Sequence, residues 1–501
     1  MKKILKIAFV SSLMLSITGC SDDLLDNTGV SGTSQPTQFL TSDQLAEGAE
    51  TNLAIPAAFL NGLYAQMIQA GSGGTTNHDD FGHKSYDVFG DMLSGDMALS
   101  NSTFGWYRAE ITEFQAPLDF TRARNRMVWR YYYRIVRSAN TVIQNLGGNN
   151  AIPEVEENKY AMGQAKAMRA HSYFYLTQYF QKEYNASEEI LPLYTEPLNQ
   201  NLPKSTAEQV YDLMENDLTE AIELLDGFNR AAKNQVNQDV AKALLAYVLG
   251  AKGGRDVDVA SLTNDVINSG NYSMLASGDV TNCFCDVNNP SWMWGIDVTE
   301  NNGLGLISWW GQIDQFSYSY AWAGDYKAID ADLYDAIPNN DFRKAQFINN
   351  PTNDRHLQPA GKFYASGSIG GTSQVVSADY VYMRVEEMYL LNAEANAKLG
   401  FDGPARTSLK ALLDNRLTDA SYVDALSGQA LQDEIYLQTR IELWGEGKSF
   451  LAMKRNKATT QRGDNHLSFV GEAIDYNDER MQFEIPQDEI QNNPFLGSQN
   501  Q

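Results

Sequence analysis

Along residues 379–400 the apolar positions recur at helical spacing. Met388, Leu391, Ala395 and Leu399 follow at intervals of three, four and four, which lines them along one face of a helix. Leu390, Ala393 and Ala397 form a second stripe beside the first. A helix apolar on two sides packs between two neighbours, and small alanines let those neighbours come close. Glu394 and Lys398 are spaced to pair across one turn, and Gly400 is placed to end the helix. The pattern returns over 431–455: Leu437, Ile441 and Trp444 share a face, Gly445-Glu446-Gly447 interrupts it, and a short basic helix follows.

Upstream, helical periodicity marks 53–70, 122–146, 157–183, 206–225, 235–252 and 258–268, with 71–104 reading as a loop rich in Gly, Thr and Asp. Ser205-Thr206-Ala207-Glu208 has the spacing of a capping box. Arg169 and His171 fall inside this run, where a helix seam uses such side chains as carbonyl or carboxylate partners. Paired helices with Ala-rich seams suggest a stacked array whose period is only loosely that of tetratricopeptide units. After 268 the pattern fails, and the chain becomes rich in Gly, Asn, Ser and aromatics with short strand signals. Trp292, Trp294, Ile296 and Val298 alternate, which predicts one half-buried strand. The expected architecture is mostly α: an N-terminal helical scaffold over 51–255, an irregular insertion over 256–378, and a helical region over 379–501 completing the scaffold. Loops on a rigid scaffold commonly carry specificity, so the insertion is where ligand binding is expected.

The N-terminus is built for export. Lys2, Lys3 and Lys6 precede an apolar run from Ile7 to Leu15, too short to span a bilayer. Thr18-Gly19-Cys20 then resembles a lipobox, which predicts a signal peptide over 1–19 and a diacylated Cys20. Acyl chains anchor at about 0.8 kcal/mol per buried CH₂. Ser21-Asp22-Asp23 resembles the surface-export signal of Bacteroidetes lipoproteins, and 20–50 reads as a tether. The formal net charge of −25, more negative still without the three leader lysines, argues against nucleic acid and against direct binding to anionic lipid. Cys283 and Cys285 are the other cysteines. One intervening residue disfavours a bridge and no histidine stands nearby, so they read as buried or free thiols.

Candidate chemistry lies in the aromatics. Five of the eight tryptophans fall between Trp292 and Trp322. Trp309 and Trp310 sit among Gly and polar residues. Phe316, Tyr318, Tyr320 and Trp322 alternate at period two, so an extended segment would project all four to one side. Such a row suits sugar stacking; the alternative is that it covers the scaffold. Trp106 and Tyr107 form a second candidate patch. No zinc motif, nucleophile elbow or phosphate-binding glycine loop is present. Acidic pairs such as Asp79-Asp80 are too common here to mark a hydrolase, and Asp330, Asp332 and Asp335 read as a solvated helix face. The expectation is a non-enzymatic binding protein without metal or cofactor.

RVEEMYLLNAEANAKLG (384–400) followed by TRIELWGEGKSFLAMKR (439–455) closely resembles the C-terminal core of SusD/RagB-type outer-membrane lipoproteins. WRYYYRIVRSANTVIQNL from Trp129, AKAMRAHSYFYLTQYF from Ala165, VYDLMENDLTEAIELL from Val210 and MQFEIPQDEIQNNPFL from Met481 fit the same pattern in order. The resemblance implies a right-handed tetratricopeptide-like scaffold. It also implies a lipid-anchored protein on the extracellular face of the outer membrane that captures a nutrient, foremost an oligosaccharide. Its implied partner is a TonB-dependent β-barrel transporter, on which it acts as a lid. Within the family a peptide ligand is the alternative; outside it, a secreted glycan hydrolase or an adhesive surface lipoprotein.

Overall fold

The computed structural model describes residues 54–197 and 200–500, with residues 48 and 52 besides. The signal peptide at 1–19, the lipidation site Cys20 and nearly all of the 20–50 tether lie outside the described residues. The longer helices are α1 (Ala54–Ala65), α2 (His83–Leu93), α3 (Ala123–Asn145), α4 (Glu156–Phe180), α5 (Ala207–Leu224), α6 (Gln238–Lys252), α7 (Asp256–Asn268), α8 (Val385–Lys398), α9 (Asp402–Leu413), α10 (Gly428–Glu442) and α11 (Ser449–Arg455). Each of α3 to α7 packs on the next, and α7 packs on α8 although more than a hundred residues separate them. The stacked array therefore continues across the insertion. None of the described helices is long and apolar enough to cross a membrane.

Helix α8 is the hinge of this packing. Its first stripe, Met388, Leu391 and Ala395, enters the main core. Its second, Leu390, Ala393 and Ala397, enters a smaller core built by Leu409, Leu412, Leu431 and Ile435 from α9 and α10. Lys398 Nζ donates to Glu394 Oε1 at 2.8 Å, and Gly400 at φ 76° ends the helix in the left-handed region. Helix α4 is buried on almost every side from Ala161 to Phe180. Within it Arg169 donates to both oxygens of Asp217 on α5 at 2.7 Å and to Asn140 on α3 at 2.9 Å, so it ties three helices together. His171 lies among His83, Tyr175 and Trp294, where burial pushes its imidazole well down.

Among the described residues, four antiparallel pairs fix the insertion to the scaffold or close its turns. Strand β1 (Met97–Asn101) pairs with β5 (Tyr326–Ile329), and β4 (Trp292–Ile296) with β6 (Tyr380–Arg384). The pairs β2 (Glu189–Pro192) with β3 (Lys204–Thr206) and β7 (Thr459–Gln461) with β8 (Ala473–Asp475) are short.

Several expectations need correction. Residues 71–104 are not one loop, because they contain α2 and β1. Helix α2 is buried throughout, and its polar residues meet each other inside, as in the 2.8 Å contact of Lys84 Nζ with Asp87 Oδ2. Strand β4 is buried on both faces rather than half-buried, with His171 of α4 packed edge-on against Trp294. The α5 capping box uses Thr206 and Gln209, one residue later than expected. Asp330 caps a helical turn through Leu333 N and is 1% exposed, not solvated. Cys283 and Cys285 form a disulfide. Positive φ at Cys283 and Phe284 curls the three residues enough to bring the Cα atoms to 5.2 Å, within the range a bridge requires.

Candidate functional site

The predicted aromatics do not form one row. Trp309 and Trp310 lie in a helical turn, Trp309–Ile313, and each is 1% exposed. Trp309 packs edge-on against Phe363 at 4.6 Å, and Trp310 Nε1 donates to the Ala378 carbonyl at 2.8 Å. Both belong to the core and offer no face to a ligand. The glycines around them mark close packing rather than an open loop: a Cβ on Gly311 would run into the Leu306 carbonyl. Tyr107 is likewise fully buried, its ring edge-on to Phe89 with Lys327 Nζ 5.2 Å from its centre.

The segment after them is bent, not extended. The carboxylate of Asp314 accepts from Phe316 N at 2.9 Å, and Ser319 Oγ donates to the Asp314 carbonyl while accepting from Trp322 N at 2.9 Å. Ser317 and Ser319 point inward, leaving Phe316 and Tyr318 exposed by 37% and 41%. A single turn, Tyr320–Ala323, follows. It directs Tyr320 inward at 7% exposure and leaves Trp322 outward at 38%.

Two aromatic groups result. In the first, Tyr320 meets Trp106 at 5.7 Å and Phe104 at 5.3 Å between ring centres. His78 stacks parallel to Trp106 at 5.3 Å, and its Nδ1 lies 2.6 Å from the Tyr320 hydroxyl. In the second, the Trp322 indole lies on Gly370 and Gly371, where a Cβ would collide with the ring. Phe316 meets Tyr364 at 5.7 Å, and Tyr318 N donates to the Ser373 carbonyl at 2.8 Å. Exposed rings whose backs are packed this way keep little freedom to lose on binding a flat ligand face.

The first group is held by a carboxylate. Asp325, fully buried, accepts from Thr103 N at 2.6 Å, Phe104 N at 2.8 Å and Trp106 N at 3.4 Å. It thereby fixes the 103–106 loop to the chain after Trp322. Beneath lie Arg124, paired with Asp79 at 2.8 Å and 5.5 Å from the Trp106 ring centre, and Lys327, which donates to Gln312. Burial pushes the Lys327 ammonium down to about 8. Burial also pushes the Asp79 carboxyl up, while Arg124 pulls it back.

Phe104, His78, Tyr364 and the Asp325 brace were not among the expected site residues. Phe104 carried a usable signal, an aromatic two positions before Trp106 in a Gly- and Ser-rich stretch. Asp325 carried none, because its role depends on contacts more than two hundred residues apart. Among the described residues no group of His, Cys, Asp or Glu side chains is arranged to hold a metal.

A SusD-like family model, described as starch-binding and associating with the outer membrane, matches residues 63–249. A SusD family model matches residues 339–501. Among solved structures, a SusD-like carbohydrate-binding protein from Bacteroides vulgatus is 24% identical with a TM-score of 0.73, covering 89% of this chain and 97% of its own. A SusD superfamily protein from Bacteroides thetaiotaomicron is 23% identical with a TM-score of 0.74, covering 90% and 100%. Another, from Bacteroides vulgatus, is 20% identical with a TM-score of 0.75, covering 90% and 98%. No curated protein matches.

Proposed function

The chain belongs to the SusD/RagB family, and from that premise we propose that it is a non-catalytic surface lipoprotein that captures a glycan. The observation that carries this reading is the aromatic set of exposed Phe104, Phe316, Tyr318 and Trp322 with half-buried Trp106 beside them, braced from behind by Asp325 and by Gly370-Gly371. Residues 256–378 supply most of it and serve as the ligand-binding insertion from the end of α7 onward, while α7 itself packs into the scaffold formed by 51–255 and 379–501. Three rings stacking on sugars at about 1 kcal/mol each, with a few hydrogen bonds, give roughly 4–7 kcal/mol, or millimolar to ten-micromolar binding. Affinity in that range suits capture followed by release. The receiver in this reading is a TonB-dependent outer-membrane barrel, with the protein tethered through Cys20 and acting as its lid.

The test is binding to a panel of neutral soluble polysaccharides and peptides, repeated on Trp106→Ala and Trp322→Ala. Each variant should lose about five- to thirtyfold in affinity for the best polysaccharide, near 1–2 kcal/mol, with little change in melting for Trp322→Ala, whose ring is exposed. Binding that survives both changes, or a peptide as the preferred ligand, refutes the assignment. Cys20→Ala should release the protein from the outer-membrane fraction, and its retention there would refute the anchor. A barrel transporter should co-purify with the wild type.

A further inference from the structure

Helix α3 and its N-terminal cap residue carry two sets of arginines with different fates. Arg122, Arg124 and Arg126 each face a carboxylate: Asp119 at 3.2 Å, Asp79 at 2.8 Å and Asp488 at 2.9 Å. Arg130, Arg134 and Arg137, at intervals of four and three along one helix face, have no carboxylate within ion-pair distance among the described residues. All three line a cavity of about 770 Å³ bounded also by the 71–74 turn and by residues near Tyr194. Arg134 donates to the Ser72 carbonyl at 3.2 Å. The Arg130 guanidinium lies over Gly74, where a Cβ would come within 3.1 Å of Cζ.

Three like charges on adjacent turns repel one another, and no carboxylate among the described residues forms an ion pair with them. The rest of the wall is suited to hydroxyl groups. Ser72 is 2% exposed and its Oγ has no hydrogen-bond partner; Gln66 Oε1 is also buried and unpartnered. Tyr133 is fixed by its hydroxyl bond to the Pro192 carbonyl at 2.8 Å. Two acids, Glu196 and Glu489, share the lining, but neither comes within ion-pair distance of the three arginines, and cations remain in excess. The volume is that of a small-molecule site. Planar guanidinium groups grip carboxylates and sulfates through paired N–H donors.

We propose that this cavity is a second binding site, for an acidic oligosaccharide bearing carboxylates or sulfates. It shares no residue with the aromatic patch, and it rests on the proposed function only in taking sugars as the ligand class. The purified chain is titrated calorimetrically with a galacturonate hexamer, a sulfated hexasaccharide, a neutral hexasaccharide and hexaglutamate, at low salt and at about 0.3 M salt. One of the acidic saccharides should bind more tightly than the neutral one and weaken with salt. Its affinity should fall at least tenfold in Arg130→Gln/Arg137→Gln, whose wild-type side chains make no hydrogen bond to the protein among the described residues, and should be unchanged in Trp322→Ala. The two acidic saccharides distinguish a carboxylate ligand from a sulfate ligand. Three results overturn the proposal: no acidic saccharide binds, the double variant binds equally well, or hexaglutamate is preferred. Because Trp322→Ala probes the patch alone, failure here leaves the neutral-glycan reading standing, and failure of that reading leaves this result interpretable.

Discussion

Replacing Glu446 by Gln removes one charge from a buried lattice and changes almost no volume. Arg343, Lys362, Arg384 and Arg416 face Asp341, Glu386, Glu442 and Glu446, four against four, and all eight are at most 4% exposed. Glu446 accepts from Lys362 Nζ at 2.7 Å and from Arg384 Nε and Nη2 at 2.8 and 2.9 Å. Burial pushes its carboxyl up, but Arg384 and Lys362 overcome that and bring it from 4.5 down to about 2. A depression of that size is worth about 3 kcal/mol at neutral pH. Breaking a buried pair by removing one partner independently suggests about 3–5 kcal/mol, because the cations left behind stay desolvated.

The sign follows from the direction of the shift. The folded state holds the Glu446 proton less tightly than the unfolded chain does. Its contribution is therefore complete above about pH 4.5 and lost as pH falls toward about 2. Urea denaturation of wild type and Glu446→Gln at pH 7 should differ by about 3 kcal/mol, and the difference should shrink steadily below pH 4.5. A variant within about 1 kcal/mol of wild type at pH 7, or a gap that does not close in acid, would refute the reasoning and leave the lattice as packing with little net electrostatic value.

Three further outcomes are expected. Trp309→Ala should lose about 3–5 kcal/mol of stability, as for a buried large-to-small change, measured by the same urea titration; a neutral result would restore Trp309 to the surface. Gly371→Ala should weaken glycan binding as Trp322→Ala does, because its φ of 74° strains alanine and the new Cβ displaces the indole, and unchanged affinity would separate that ring from the ligand. Ala395→Arg should lower the melting temperature by several degrees through overpacking and an unpaired buried charge, since Ala395 is 2% exposed in the main core.

The helical scaffold was legible because its signal is local. Two apolar stripes on one helix require two neighbours, and α8 has them. The patch was less legible because exposure is not a property of a segment. Trp309 and Trp322 stand in similar Gly- and Ser-rich surroundings, yet Phe363 covers one ring while glycines support the other from behind. Period two over Phe316–Trp322 assumed an extended chain, and the Asp314 and Ser319 side chains bend it. Helix α2 shows no apolar stripe because His83, Lys84, Asp87 and Asp91 are buried along with its apolar residues, which no hydrophobicity pattern reveals.

The most recognisable sequence in this chain builds its interior rather than its exposed aromatics. Arg384, Glu386, Glu442 and Glu446 come from the two segments that carry the resemblance, and they build the ionic lattice. Lys362 joins that lattice through Glu446 and the carbonyls of Glu442 and Trp444. The next two residues, Phe363 and Tyr364, pack against Trp309 and Phe316. Rigidity is thus passed along a few covalent bonds from the lattice to the rim of the patch. Phe316, Tyr318, Tyr320 and Trp322 lie between the two matched regions, which end at 249 and resume at 339.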